Sequence, residues 1–310
     1  MKYFDFKTVL IAIAICSMSC NDDRNNEINS KKSTTIISKT PKRYLDTPKR
    51  LRAIIDSIAK INTVEYESVG LGGWEGANYR NFKKLKAKAN IEELVTLTQN
   101  ENAVVACYAS WALADRSYPN LKLIFRNFLD DNETVETFSG CIMSGRHMAS
   151  ELYHRYWNNT SFEDRSENKI LQELDSMILY QPKPDWLLAL RALDNRVYDE
   201  PYKSRIVELA FDKTNREALF YLSNFHKAEY YKKIETALLL YLRNTNFKNT
   251  GTSDYFRTIE ELLRFNNPDI NTEIVEKMKK DRHWHHEPEK FRSILDHYGI
   301  YYFSWSPMQN

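Results

Sequence analysis

The chain is short of the residues that punctuate a backbone, with only eight glycines and nine prolines among 310 residues. That scarcity leaves few tight turns and points to long helices, so an all-α fold is predicted. Charge of one sign is missing too: 44 basic and 42 acidic residues alternate along the chain, for a net charge of +2. No basic face with interleaved aromatics stands out, and no nucleic-acid partner is expected. A long apolar run is absent. The most apolar stretch, 9–16, is far shorter than the roughly 20 residues a membrane-crossing helix requires. Catalytic signatures are lacking as well. There is no Gly-x-Ser-x-Gly elbow, no phosphate-binding loop ending in Gly-Lys-Ser/Thr, no dinucleotide fingerprint and no His-Glu-x-x-His, so neither a cofactor nor an enzymatic activity is expected.

What is present begins with the leader. Lys2 and Lys7 precede the apolar run, and Ser17, Met18 and Ser19 lead to Cys20. This arrangement resembles the signal peptide and lipobox of bacterial lipoproteins, with Ser17 where that family usually carries an aliphatic residue. The resemblance implies a leader over 1–19, lipidation of Cys20, a membrane partner held through that anchor and a place in the cell envelope, facing the periplasm or the cell surface. The alternative is an ordinary secretory signal cleaved near Ser19. Residues 20–47 are rich in Asn, Ser, Thr and Lys and nearly free of aromatics, a composition that predicts a disordered linker.

Beyond the linker, helical periodicity dominates. Residues 48–90 read as N-terminal helices carrying a Gly-rich loop. From 91 onward a helix–turn–helix pattern recurs: 91–99 with 103–113, then 121–128 with a second helix through Val135, Phe138 and Ile142. It continues as 170–179 with 186–193, and 202–211 with 216–225. Less regular pairs, 229–243 with 254–265 and 272–280 with 289–298, complete the series. Asn and Asp fall at the joints, where their side chains can cap the incoming helix. Ala106, Ala109, Ala112 and Leu113, with Leu187, Leu188, Ala189, Arg191, Ala192 and Leu193, resemble the second-helix pattern of HEAT-like repeats. That resemblance implies a right-handed stack of antiparallel helix hairpins over 91–300, an α-solenoid interrupted by an insertion between Gly145 and Asn168. An irregular helical bundle is the alternative architecture.

Candidate sites are few. Four of the eight glycines lie in Gly70-Leu71-Gly72-Gly73-Trp74-Glu75-Gly76, read as an entry turn that displays Trp74 and Tyr79 to a partner. Tyr301, Tyr302 and Trp305 form an aromatic C-terminal tail over 301–310, read as a cap on the last repeat or a further partner-binding patch. His283, His285 and His286 are the one candidate metal cluster by residue type, and a polar helix end is the favoured reading. His147, Glu151 and His154 share a helical face and are expected to form a surface ladder. Cys107 and Cys141 fall on the second helices of neighbouring hairpins and are expected to be buried free thiols. Anchor, linker and repeats without a catalytic set predict a membrane-tethered scaffold that binds another protein of the cell envelope. The alternative is an enzyme or metal-binding protein built on the His283/His285/His286 cluster.

Overall fold

Asn90 starts a helix by accepting the Glu93 amide on its side chain while the Glu93 carboxylate accepts the Asn90 amide, a reciprocal cap that satisfies two donors at once. Asn102, Asn168, Asp185, Asn215 and Asn267 each cap a following helix in the same spirit, as the Asn and Asp residues at the joints foretell. The structure, a computed structural model, describes residues 48–245, 252–281 and 288–300. It is mostly helical, with fourteen helices and four strands among those residues.

In chain order these are α1 (Lys49–Ile61), β1 (Val64–Val69), β2 (Trp74–Glu75), α2 (Ala77–Lys88), α3 (Ile91–Leu97), α4 (Ala103–Asp115) and α5 (Leu121–Asp131). Then come β3 (Thr134–Gly140), β4 (Ile142–His147), α6 (Met148–Asn159), α7 (Lys169–Leu179), α8 (Trp186–Asp194), α9 (Tyr202–Phe211) and α10 (Arg216–Phe225). The last four are α11 (Lys227–Asn244), α12 (Thr252–Leu263), α13 (Pro268–Lys280) and α14 (Pro288–His297).

The helices touch in two files. In one, α2, α4, α6, α8 and α10 contact each other in succession; in the other, α5, α7 and α9 do so. Each of α3–α4, α5–α6, α7–α8 and α9–α10 packs as a pair. The middle of the first file is α4, in which every residue from Val104 to Ala114 is buried. Its Tyr108 and Trp111 pack with Phe82 of α2, ring centroids 5.2 and 5.7 Å away, in the stacked and edge-on arrangements that aromatic quadrupoles favour. The buried apolar residues fall into two clusters. One runs from Leu51 to Ala192 and the other from Leu179 to Leu295, so they meet along α7 and α8.

The sheet corrects the all-α expectation. Its order is β2-β1-β3-β4, with β1 parallel to β3 and both outer pairs antiparallel. Thr134 to Thr137 alternate exposed and buried, the two-residue period of a strand, and Thr and Val are β-branched. The helix expected through Val135, Phe138 and Ile142 is therefore a β-hairpin. Asn132 ends α5 in the left-handed conformation, with φ 49°, and so breaks the chain away from helix. The second helix of that pair is α6, which occupies the segment read as an insertion. Residues 48–90 likewise hold two strands besides their two helices. Tyr108 ties the sheet to α4, its hydroxyl accepting from the Glu65 amide at 2.8 Å and donating to the Glu65 carbonyl at 2.9 Å.

Candidate functional site

Three helix-pair joints, α5–α6, α7–α8 and α9–α10, open onto one groove of about 880 Å³. Phe128 and Asn132 contribute where α5 ends, and His147 and Ala149 where α6 begins. The α7–α8 turn adds Gln181, Lys183 and Trp186, and the α9–α10 turn adds Lys213 and Asn215. Tyr241 of α11 and Asp254 of α12 close the far end. The turns come together because paired helices of similar length place their connections at one edge of the stack.

Arg216 organises the polar end of the groove. Its Nη1 lies 2.5 Å from Asp254 Oδ2 and 3.3 Å from the Tyr241 hydroxyl, while Nε and Nη2 hold Glu217 Oε1 at 3.0 and 2.8 Å. Burial works against this guanidinium's charge, but the bonds to Tyr241 and Glu217 more than offset it and raise its pKa above the ordinary value. Glu217, itself buried, also accepts from Arg257 Nη1 at 3.0 Å. These groups are mutually satisfied. Asp185 is occupied too, capping α8 through the Leu187 and Leu188 amides. What the groove leaves available is an exposed Trp186, the exposed Lys183, and the apolar side chains Phe128, Ile178 and Leu188 on its walls, with Lys213 exposed but 3.9 Å from Glu208. Volumes of this size accommodate several side chains of a bound segment.

A second polar cluster lies away from the groove. Glu151 is buried on α6, where the Tyr66 hydroxyl donates to its Oε2 at 2.7 Å and His154 Nδ1 sits 3.5 Å from the same hydroxyl. Burial pushes the Glu151 carboxyl above its usual range, and the Tyr66 bond and Arg146 only partly counter that rise. His154 is pushed down to about 4, by burial first and then by the charges of Arg191, Arg146 and Arg155. The expected surface ladder through His147, Glu151 and His154 is thus replaced by an internal node of Tyr66, Glu151 and His154. Helix α6 turns Glu151 inward against the sheet, and His147 precedes the helix with its Nδ1 buried and unbonded.

A third cluster joins the two apolar cores. Asp175 is almost fully buried and accepts from the Tyr153 hydroxyl at 2.6 Å, Asn195 Nδ2 at 2.9 Å, Arg196 Nη2 at 2.7 Å and the Tyr198 hydroxyl at 3.3 Å. Burial nevertheless raises its carboxyl to about 6, against the pull of those donors. Nearby, Trp157 of α6 donates to Asn195 Oδ1 at 2.8 Å and carries the Arg165 and Arg191 guanidiniums 3.3 and 4.0 Å from its ring centroid.

The other candidate residues are distributed as follows. Trp74 is exposed on β2. Tyr79 is buried against Phe82, ring centroids 5.4 Å apart, so it is not displayed as expected: it faces the core from the first turn of α2. Cys107 is buried and Cys141 exposed, both free; the expected burial of Cys141 fails because it sits in the β3–β4 turn, not on a helix. Cys20, His283, His285, His286, Tyr301, Tyr302 and Trp305 lie outside the described residues. Among the described residues no group of three or more His, Cys, Asp or Glu side chains is placed to hold a metal ion, and no helix is long and apolar enough to cross a membrane.

Neither the groove nor the Asp175 node was singled out from sequence. Single polar residues scattered over four helices give no spacing signal. Only the Trp186 and Lys183 positions, beside a Pro-rich turn, carried a hint of exposure. Comparison of the chain with protein-family models, curated proteins and solved structures finds no match.

Proposed function

We propose that this chain is a lipid-anchored helical-repeat scaffold that binds another protein of the cell envelope, and that the groove along its helix joints receives a segment of that partner. The observation that carries the reading is the convergence of three helix-pair joints on one continuous groove, with Trp186 and Lys183 exposed inside it. A stack of like hairpins builds an extended surface of this kind from short local connections, which supports reading the two helix files as a HEAT-like α-solenoid. Exposed indole and cationic side chains over apolar walls favour a segment that brings aromatic or aliphatic residues together with carboxylates. The lipobox-like residues ending at Cys20 supply the anchor in this reading.

Photo-cross-linking in intact cells tests it, with the reactive residue placed at position 186 or 213 and at position 123 on the opposite file as control. The expected outcome is one protein captured from the groove positions and not from the control, with capture reduced at least tenfold by Trp186→Ala in a neighbouring-site reporter. Equal capture from all three positions would remove the groove from the proposal. Mass spectrometry of the purified native chain tests the anchor separately, with an acylated residue expected at Cys20.

A further inference from the structure

Because β1 and β3 run parallel, the turns that follow them emerge at the same end of the sheet. There, pairing runs across all four strands: Trp74 opposes Val69, Val69 opposes Gly140, and Ile142 opposes Ser139. The Gly70 amide donates to the Gly140 carbonyl at 2.7 Å, so the two tips are bonded side by side. Their sequences are Gly-Leu-Gly-Gly-Trp at 70–74 and Ser-Gly-Cys-Ile-Met at 139–143, ten residues without an Asp, Glu, Lys or Arg in a chain that is 28% charged. Leu71 is 98% exposed, Trp74 75%, Ile142 69% and Met143 59%. Four large apolar side chains thus project from one uncharged end of the molecule.

The tips are built to hold that display. Gly70, Gly73 and Gly140 take positive φ, which other residues adopt at a cost, and the turns close tightly there. A Cβ on Gly72 would lie 2.3 Å from Trp74 Nε1, so the indole rests on the bare backbone of Gly72 while its outer face stays in solvent. Two tip amides are bonded internally, Gly73 to the Gly70 carbonyl and Gly70 to the Gly140 carbonyl. The flanking Glu75 is neutralised by Lys83.

We propose that this paired hairpin end inserts into the interface of a lipid bilayer. An indole beside aliphatic side chains is the combination that settles at headgroup depth. The proposal rests on the anchored reading above in one respect: residues 21–47, between Cys20 and the described region, cannot hold the domain farther than about 90 Å from the bilayer even at full extension. The tips then stay within reach of a lipid surface.

Cys141 lies in the tip and Cys107 is buried, so an environment-sensitive thiol dye on the mature chain reports from Cys141. The chain spanning residues 20–310 is tested on vesicles of phosphatidylethanolamine and phosphatidylglycerol, once acylated and once carrying Cys20→Ser. With either form the dye is expected to shift to the blue and to be quenched by bromine-labelled lipid tails, in low and in high salt alike. Leu71→Ser with Ile142→Ser, both at exposed positions, is expected to abolish the shift and to lower vesicle partition of the Cys20→Ser form at least tenfold. That size follows from withdrawing two large apolar side chains from the bilayer.

An unshifted dye on acylated chain that sediments with vesicles would overturn the insertion and leave the anchor standing. Shift and quenching in the Cys20→Ser form, with no acyl mass on native protein, would do the reverse. An unshifted dye together with self-association that the double substitution removes would assign the tips to a second copy of the chain and overturn the lipid proposal.

Discussion

Asp175 and His154 titrate against each other. The His154 pKa in the folded chain is about 4, below its ordinary 6.5, so the unfolded chain binds more protons between those values and the stability owed to a neutral His154 is lost as pH falls through that window. Asp175 moves the other way: its folded value of about 6 lies above the ordinary 3.8, so its contribution is full at low pH and is lost as pH rises towards and through 6. The two slopes oppose one another between pH 4 and 6. His154→Gln is expected to remove one of them, and the variant should gain roughly 2–3 kcal/mol on the parent protein between pH 7 and pH 4.5. Urea unfolding at the two pH values measures this; an unchanged difference would show that His154 titrates alike in the folded and unfolded chain. None of this was legible beforehand. The sequence places His154 on the same helical face as Glu151, but burial against Tyr66 from a strand 85 residues earlier than Glu151 decides both their states.

At the scale of the element, helix starts were read well and strands were not. The side chains of Asn102, Asp185 and Asn215 cap α4, α8 and α10 at the joints where their chemistry suggested it. Asp185→Ala removes the acceptor for two amides and is expected to lower stability by about 1 kcal/mol, read as a drop in urea midpoint at unchanged slope. Residues 134–142 read as helix because Val135, Phe138 and Ile142 also satisfy a three-to-four spacing. Short apolar segments fit both periods, and the competing two-residue alternation of Thr134, Val135, Glu136 and Thr137 carried the day once β1 was available as a neighbour. The Gly-rich stretch has a similar history. Its glycines were legible as a turn, but the turn joins two strands and only afterwards leads into α2, which is why Trp74 faces solvent and Tyr79 the core.

For the whole molecule, the Asp175 node is the bond between two cores. Tyr153 reaches it from α6, Asp175 from α7, and Asn195, Arg196 and Tyr198 from the turn after α8, where one apolar cluster gives way to the other. Asp175→Ala removes the acceptor that Tyr153, Asn195, Arg196 and Tyr198 share, leaves those buried donors without it, and is expected to destabilise by about 3–5 kcal/mol. Calorimetry should then resolve two transitions where the parent protein shows one, because the halves retain their own cores and lose their shared polar contact. A single transition merely shifted down in temperature would show that apolar packing along α7 and α8 couples them unaided. Most of the helices and their caps follow from the chain read locally, since helix hydrogen bonds and side-chain caps span at most four residues. The parallel pairing of β1 with β3, the two uncharged tips it sets side by side, the groove across three joints and the burial of Asp175 join residues far apart in sequence. Such contacts depend on which surfaces remain to be covered once the helices have packed, and no spacing along the chain records that.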